Sequence, residues 1–141
     1  MKKFVICILI FILCTPPSSA SENERKVDID LSKLNTMMTY STLFNIMTNP
    51  DNYIGKVIKI KGLFDSAKDP DTNIDYFAVV IMDASACCSS GLDFEPKKEY
   101  NYHYPADYPE IGSSITVIGK FERYVDGEEV YYHLAEADIL K

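Results

Sequence analysis

Five segments of strand-like character, turn-forming residues between them and a longer connection after the third predict an all-β fold. The architecture expected is a five-stranded OB-like barrel with a short N-terminal α-helix. Gly62 and Gly119 lie inside the first and fourth of these segments, where a small barrel bends its strands sharply and a glycine tolerates the kink.

The chain opens MKKFVICILIFILCTPPSSA: two lysines, the apolar run Phe4 to Cys14, two prolines and then small residues. This is the layout of a secretory signal peptide, with cleavage expected after Ala20. The apolar run is shorter than the roughly 20 residues that span a bilayer, so no transmembrane span is expected in the mature chain. A secreted or envelope location follows, with a lipid-anchored form as the alternative. Against that alternative, bulky Leu13 precedes Cys14 where a lipoprotein signal carries a small residue.

Loss of residues 1–20 removes Cys7, Cys14, Lys2 and Lys3, leaving 12 basic and 21 acidic side chains, a formal charge of −9. Such a field repels phosphates, so nucleic acid is not expected as a partner. A metal ion or an envelope protein suits it better. The length suits one domain. Residues 21–36 form a polar tether, in which Val27, Ile29, Leu31 and Leu34 hint that the later part docks on the domain, 37–141.

Within that domain, Tyr40, Leu43, Phe44, Ile46 and Met47 recur at helical spacing, with Thr39 or Ser41 as candidate caps. Asn49-Pro50-Asp51 stops the helix, because proline disfavours the helical conformation in the residue before it. The first strand, within residues 53–64, alternates Ile58 and Ile60 with Lys59 and Lys61. Residues 75–83 are apolar on both faces, as in a central strand, and 91–96 give a short third strand. Residues 113–125 alternate again, and Asp126-Gly127 signals a hairpin into the last strand at 129–139.

The motif with the most chemistry is DASACCSSGLDF, residues 83–94, which holds two adjacent cysteines. Two thiolates suit zinc or monovalent copper. The ligand set is open to completion by His103 or His133, the chain's two histidines, or by Asp83 or Asp93 beside the pair. Neighbours on a regular strand point to opposite faces, so both sulfurs reach one ion only from a turn or bulge, for which Ser89, Ser90 and Gly91 are candidates. A redox pair is the alternative, but it needs a lowered thiol pKa, and the nearby groups are acidic. Tyr102, Tyr104 and Tyr108 offer an aromatic surface for a sugar or peptide, or else a cover for one end of the barrel. There is no phosphate loop or nucleophile elbow, so enzymatic activity has no positive support.

NYIGKVIKIKGLF, EIGSSITVIGKFERY and HLAEADI resemble the corresponding strands of exported bacterial OB-fold-like proteins. More closely, DASACCSSGLDF with the downstream YHYPADYPEIG is similar to an uncharacterised family of secreted or lipid-anchored bacterial proteins carrying a Cys-Cys-x-x-Gly motif. The resemblance spans about residues 37–139 and implies the fold rather than an activity. A weaker likeness, a strand followed by Cys-Cys, connects the chain to the soluble domain accompanying bacterial permeases of zinc homeostasis. The expectation is therefore an exported binding module that binds or transfers a soft metal ion, zinc, through Cys87 and Cys88. The alternatives are a thiol-disulfide redox protein and a protein- or glycan-binding module with structural cysteines.

Overall fold

The computed structural model describes residues 25–140; the expected signal peptide and the first four residues of the tether lie outside them. Among the described residues there are six strands and one α-helix: β1 (Ile29–Asp30), α1 (Thr36–Thr48), β2 (Val57–Lys68), β3 (Asp75–Met82), β4 (Ser89–Pro96), β5 (Ser114–Asp126) and β6 (Glu129–Leu140). The expected count of five is corrected to six. The five expected strands are β2 to β6, and the addition is β1, a two-residue strand parallel to β2 in the segment 21–36. Two residues are too few to show a period, which is why the sequence does not reveal it.

The strands follow the order β1-β2-β3-β4-β6-β5, and β2 also pairs with β5, so β2 to β6 form a ring. β2 serves both neighbours in turn. Val57 to Leu63 pair antiparallel with β5, and Leu63 to Lys68 pair antiparallel with β3. Gly62 stands at this changeover, where a Cβ would lie 2.6 Å from the Ile81 side chain and from the Val80 carbonyl oxygen. No side chain fits, which explains the glycine physically.

β6 runs parallel to β4 and antiparallel to β5, and it carries one extra residue against each, between Leu134 and Ala137 facing β4 and between Ala135 and Asp138 facing β5. Glu136 has φ +47° there, the left-handed region that L-residues rarely adopt. The extra residue reverses which positions face inward: Tyr132 and Leu134 before it, Ala137 and Ile139 after it, all join the core. The β5–β6 turn is Gly127-Glu128, with Gly127 at φ +61°, suiting a glycine at the first turn position of a tight hairpin.

The core is built from the inward set of each strand: Ile58, Ile60 and Phe64 of β2, Val79 and Ile81 of β3, Leu92 and Phe94 of β4, Val117 and Phe121 of β5, and Leu134 of β6. Leu43 and Ile46 of α1 are fully buried in the same cluster, and the helix lies on β3 and β4. Its cap is Asn35, whose side chain accepts the Met38 N–H at 2.9 Å, rather than the expected Thr39 or Ser41. Thr39 lies inside the helix instead, donating its hydroxyl to the Asn35 and Leu31 carbonyls. Leu31 is buried, and Ile29 and Leu34 pack against the core beside it.

Candidate functional site

The β3–β4 connection, residues 83–88, is a tight loop closed by the Asp83 N–H donating to the Cys88 carbonyl at 2.8 Å. Asp83 organises it. One carboxylate oxygen accepts the backbone N–H groups of Ser85 (3.1 Å) and Cys87 (3.0 Å), and the other accepts the Ser85 hydroxyl at 2.9 Å and the Cys87 thiol at 3.4 Å. Short polar side chains hold turns in this way by bonding their own downstream backbone. Ala86 sits at φ +56°, so the chain reverses immediately before the cysteine pair.

That reversal brings both thiols to one side. The two sulfurs are 3.6 Å apart, both cysteines are free and exposed, and one ligand atom each from Asp83, Cys87 and Cys88 lie within 4.8 Å of one another. Ser89, Ser90 and Gly91, the residues expected to turn the chain, belong to β4 instead; the turn comes earlier, at Ala84 to Cys88.

Electrostatically the loop favours the thiol form of Cys88 in the absence of a cation. The hydrogen bond with Cys87, the Asp83 charge and a little desolvation push the Cys88 thiol above its ordinary 9.0. The Asp83 carboxyl is held below its ordinary 3.8, chiefly by the Ser85 hydroxyl, with Cys88 and Cys87 assisting. A bound cation would reverse that balance at the Cys88 sulfur.

The other sequence-predicted ligands lie elsewhere. Asp93 is four residues along β4 from Ser89, about 13 Å at the usual strand rise. It pairs with His133 of β6. His103 is exposed in the β4–β5 connection, its backbone N–H donating to the Asp107 carboxylate at 2.8 Å and its imidazole 3.6 Å from the same group. Among the described residues, the one cluster of three or more potential metal ligands is therefore Asp83, Cys87 and Cys88.

Two tyrosines of the connection, Tyr104 and Tyr108, pack against the core. Tyr108 stacks on Phe77 at 4.2 Å between ring centres, and Tyr104 packs on Phe77 at 5.3 Å while its hydroxyl meets that of Ser66 at 2.8 Å. Burial pushes the Tyr108 phenol up to about 12. Tyr102 packs on the edge of this group, 5.4 Å from Tyr100 and 5.9 Å from Tyr108. The signal for the loop was legible in the paired cysteines; the signal for Asp83 as its organiser was the Asp-x-Ser spacing.

No family model matches the chain, and no curated protein does. Among solved structures, it is similar to a proposed nucleic acid-binding lipoprotein of Klebsiella pneumoniae subsp. pneumoniae MGH 78578. The two are 19% identical, with a TM-score of 0.44, over 90% of this chain and 100% of that one. No helix among the described residues is long and apolar enough to cross a membrane.

Proposed function

We propose that this protein is an exported binding module of the bacterial envelope, an OB-like barrel that binds or passes on a soft metal ion through Cys87 and Cys88. The observation that carries this reading is the spacing of the two sulfurs. Tetrahedral zinc with Zn–S bonds of about 2.3 Å holds its two sulfurs about 3.8 Å apart, and the free thiols stand at 3.6 Å. A disulfide, by contrast, needs about 2.05 Å.

The Asp83 oxygen that accepts the Cys87 thiol would lose that bond to a metal-bound thiolate while keeping the Ser85 hydroxyl, which leaves it a lone pair with which Asp83 can supply a third ligand. Two thiolates and a carboxylate carry one negative charge more than a divalent cation neutralises, so the filled site stays anionic and favours a cation over a neutral ligand. Four-coordination leaves one position for water or for a group on a partner, the arrangement that exchange between proteins requires. Support for export comes from the leader sequence. Support for the barrel comes from the ring order, in which the third and fifth ring strands by chain order are parallel and every other ring contact is antiparallel.

Elemental analysis of the protein, purified without chelator or affinity metal, tests this directly when combined with a free-thiol count. Near one metal per chain, lost in Cys87→Ser and in Cys88→Ser, is the expected result. Protein free of metal after incubation with equimolar zinc, with its thiols oxidised to a Cys87–Cys88 disulfide, would overturn it in favour of the redox alternative.

A further inference from the structure

On the outside of the ring, β3, β4, β6 and β5 border a hollow of about 350 Å³. Its polar lining comes from residues that alternate with core positions, beside Phe77 and Phe94 of the core cluster. Leu92 and Phe94 are buried, which turns Asp93 and Glu95 outward on β4, and buried Leu134 turns His133 outward on β6. Tyr76 of β3 and Tyr124 of β5 complete the walls. Register puts Asp93 beside His133, and the His133 and Tyr124 rings are 4.8 Å apart.

The charges of this hollow are not balanced. Asp75 on its rim is taken by Lys68 at 3.0 Å. Across the neighbouring hollow, Glu122 is met by Lys120 at 2.6 Å and Glu136 by Arg25 at 3.6 Å. Asp93 and Glu95 have no cationic or hydrogen-bonding side-chain partner among the described residues other than the adjacent His133 imidazole. Burial pushes the Asp93 carboxyl upward while His133 draws it back. A half-buried carboxylate in a cleft of aromatic rings lacks the several oxygen ligands that calcium or magnesium requires. It does match a cation with an organic body, which gains from the ring faces as well as from the charge.

We infer that this hollow binds an organic cation, an alkylammonium or guanidinium group lodged among the Tyr76, Tyr124 and His133 rings with its charge on Asp93. The group comes either from a free small molecule or from a basic side chain of a partner polypeptide. The site is separate from the cysteine loop and does not depend on the metal reading.

The test is a backbone amide NMR titration of the purified protein with N-acetyl-arginine amide, and with its uncharged isostere N-acetyl-citrulline amide. Saturable shifts centred on Tyr76, Asp93, Tyr124 and His133 with the arginine compound, and at least tenfold weaker binding of the citrulline one, are expected. Asp93→Asn should weaken binding tenfold or more, and Cys87→Ser should leave it unchanged. Tyr124→Leu serves as a second variant, with a loss of severalfold, should Asp93→Asn not fold. A capped heptapeptide with one central arginine that binds at least tenfold tighter than the amide assigns the cation to a polypeptide; equal affinity assigns it to a small molecule. Shifts absent, spread evenly over the acidic surface, equal with citrulline, or reproduced by an oligothymidylate would each overturn the inference.

Discussion

The carboxylate of Asp83 accepts both the backbone N–H of Cys87, at 3.0 Å, and its thiol, at 3.4 Å. One residue thus fixes where the cysteine pair points, and its charge helps oppose ionisation of Cys88. Asp83→Asn keeps a hydrogen-bonding oxygen but removes the charge, so the Cys88 thiol should ionise more readily. The expected outcome, read by mass spectrometry of iodoacetamide-treated protein at pH 8, is severalfold faster alkylation of Cys88 than in the parent. The substitution should also weaken zinc binding, because a neutral amide is a poorer ligand than a carboxylate. Unchanged alkylation would show that the Asp83 charge does not control the thiol.

Gly62→Ala should be strongly destabilising. Its Cβ would meet the Val80 carbonyl oxygen at 2.6 Å, and backbone in a ring closed on both sides has little room to move. A loss of about 2–3 kcal/mol is expected from overpacking, measured as a lower urea midpoint with an unchanged slope.

Tyr108→Ala removes a ring stacked on Phe77 and Phe64. Truncation of a large core aromatic costs about 3–5 kcal/mol; a half-buried ring should fall near the lower end. The folded phenol titrates at about 12 against an ordinary 10.0. A pKa raised by folding gives stability that is complete below the unfolded value and is lost as pH rises through the folded one. Stability should therefore decline from about pH 10 toward pH 12, and Tyr108→Phe should lose less over that window in denaturation series at fixed pH.

Asp138 accepts the Lys97 ammonium and the Tyr100 hydroxyl, each at 2.6 Å, and lies 3.8 Å from Arg25. Burial alone would raise its pKa, but the bonds from Lys97 and Tyr100 outweigh it and hold the carboxyl below 3.8. A depressed carboxyl stabilises the fold above its unfolded value, and the benefit disappears as pH falls below 3.8 through the folded value. Asp138→Asn should cost about 1–2 kcal/mol at pH 7, in the range for charged hydrogen bonds with some solvent screening. The difference from the parent should shrink toward pH 2; a constant difference would assign the cost to packing.

Much of the fold was legible because its strands keep a two-residue period: Ile58 and Ile60 against Lys59 and Lys61 read as one face wet and one dry, and the structure agrees. The helix was legible as an element but not at its start, since Asn35 lies a full turn before the apolar residues that mark the period. The site was legible only locally. Asp83, Cys87 and Cys88 fall within one loop, so their meeting follows from a turn that Ala86, with no glycine-like signal, makes at positive φ. His133 and Asp93 meet through a parallel pairing of β4 with β6, and nothing in either segment announces its partner.

The extra residue in β6 acts like a frameshift in the strand's two-beat rhythm. Removing Glu136 alone would bring Ala137 and Ile139 into step with Tyr132 and Leu134 and make the ladders to β4 and β5 both regular. Removing a residue elsewhere between Tyr132 and Ile139, with the bulge kept, would exchange core for solvent on one side of the cut. Between Tyr132 and Ile139, β6 therefore has a single permissive locus for shortening, and a scan of one-residue deletions over that stretch should leave folded protein at Glu136 before any other position.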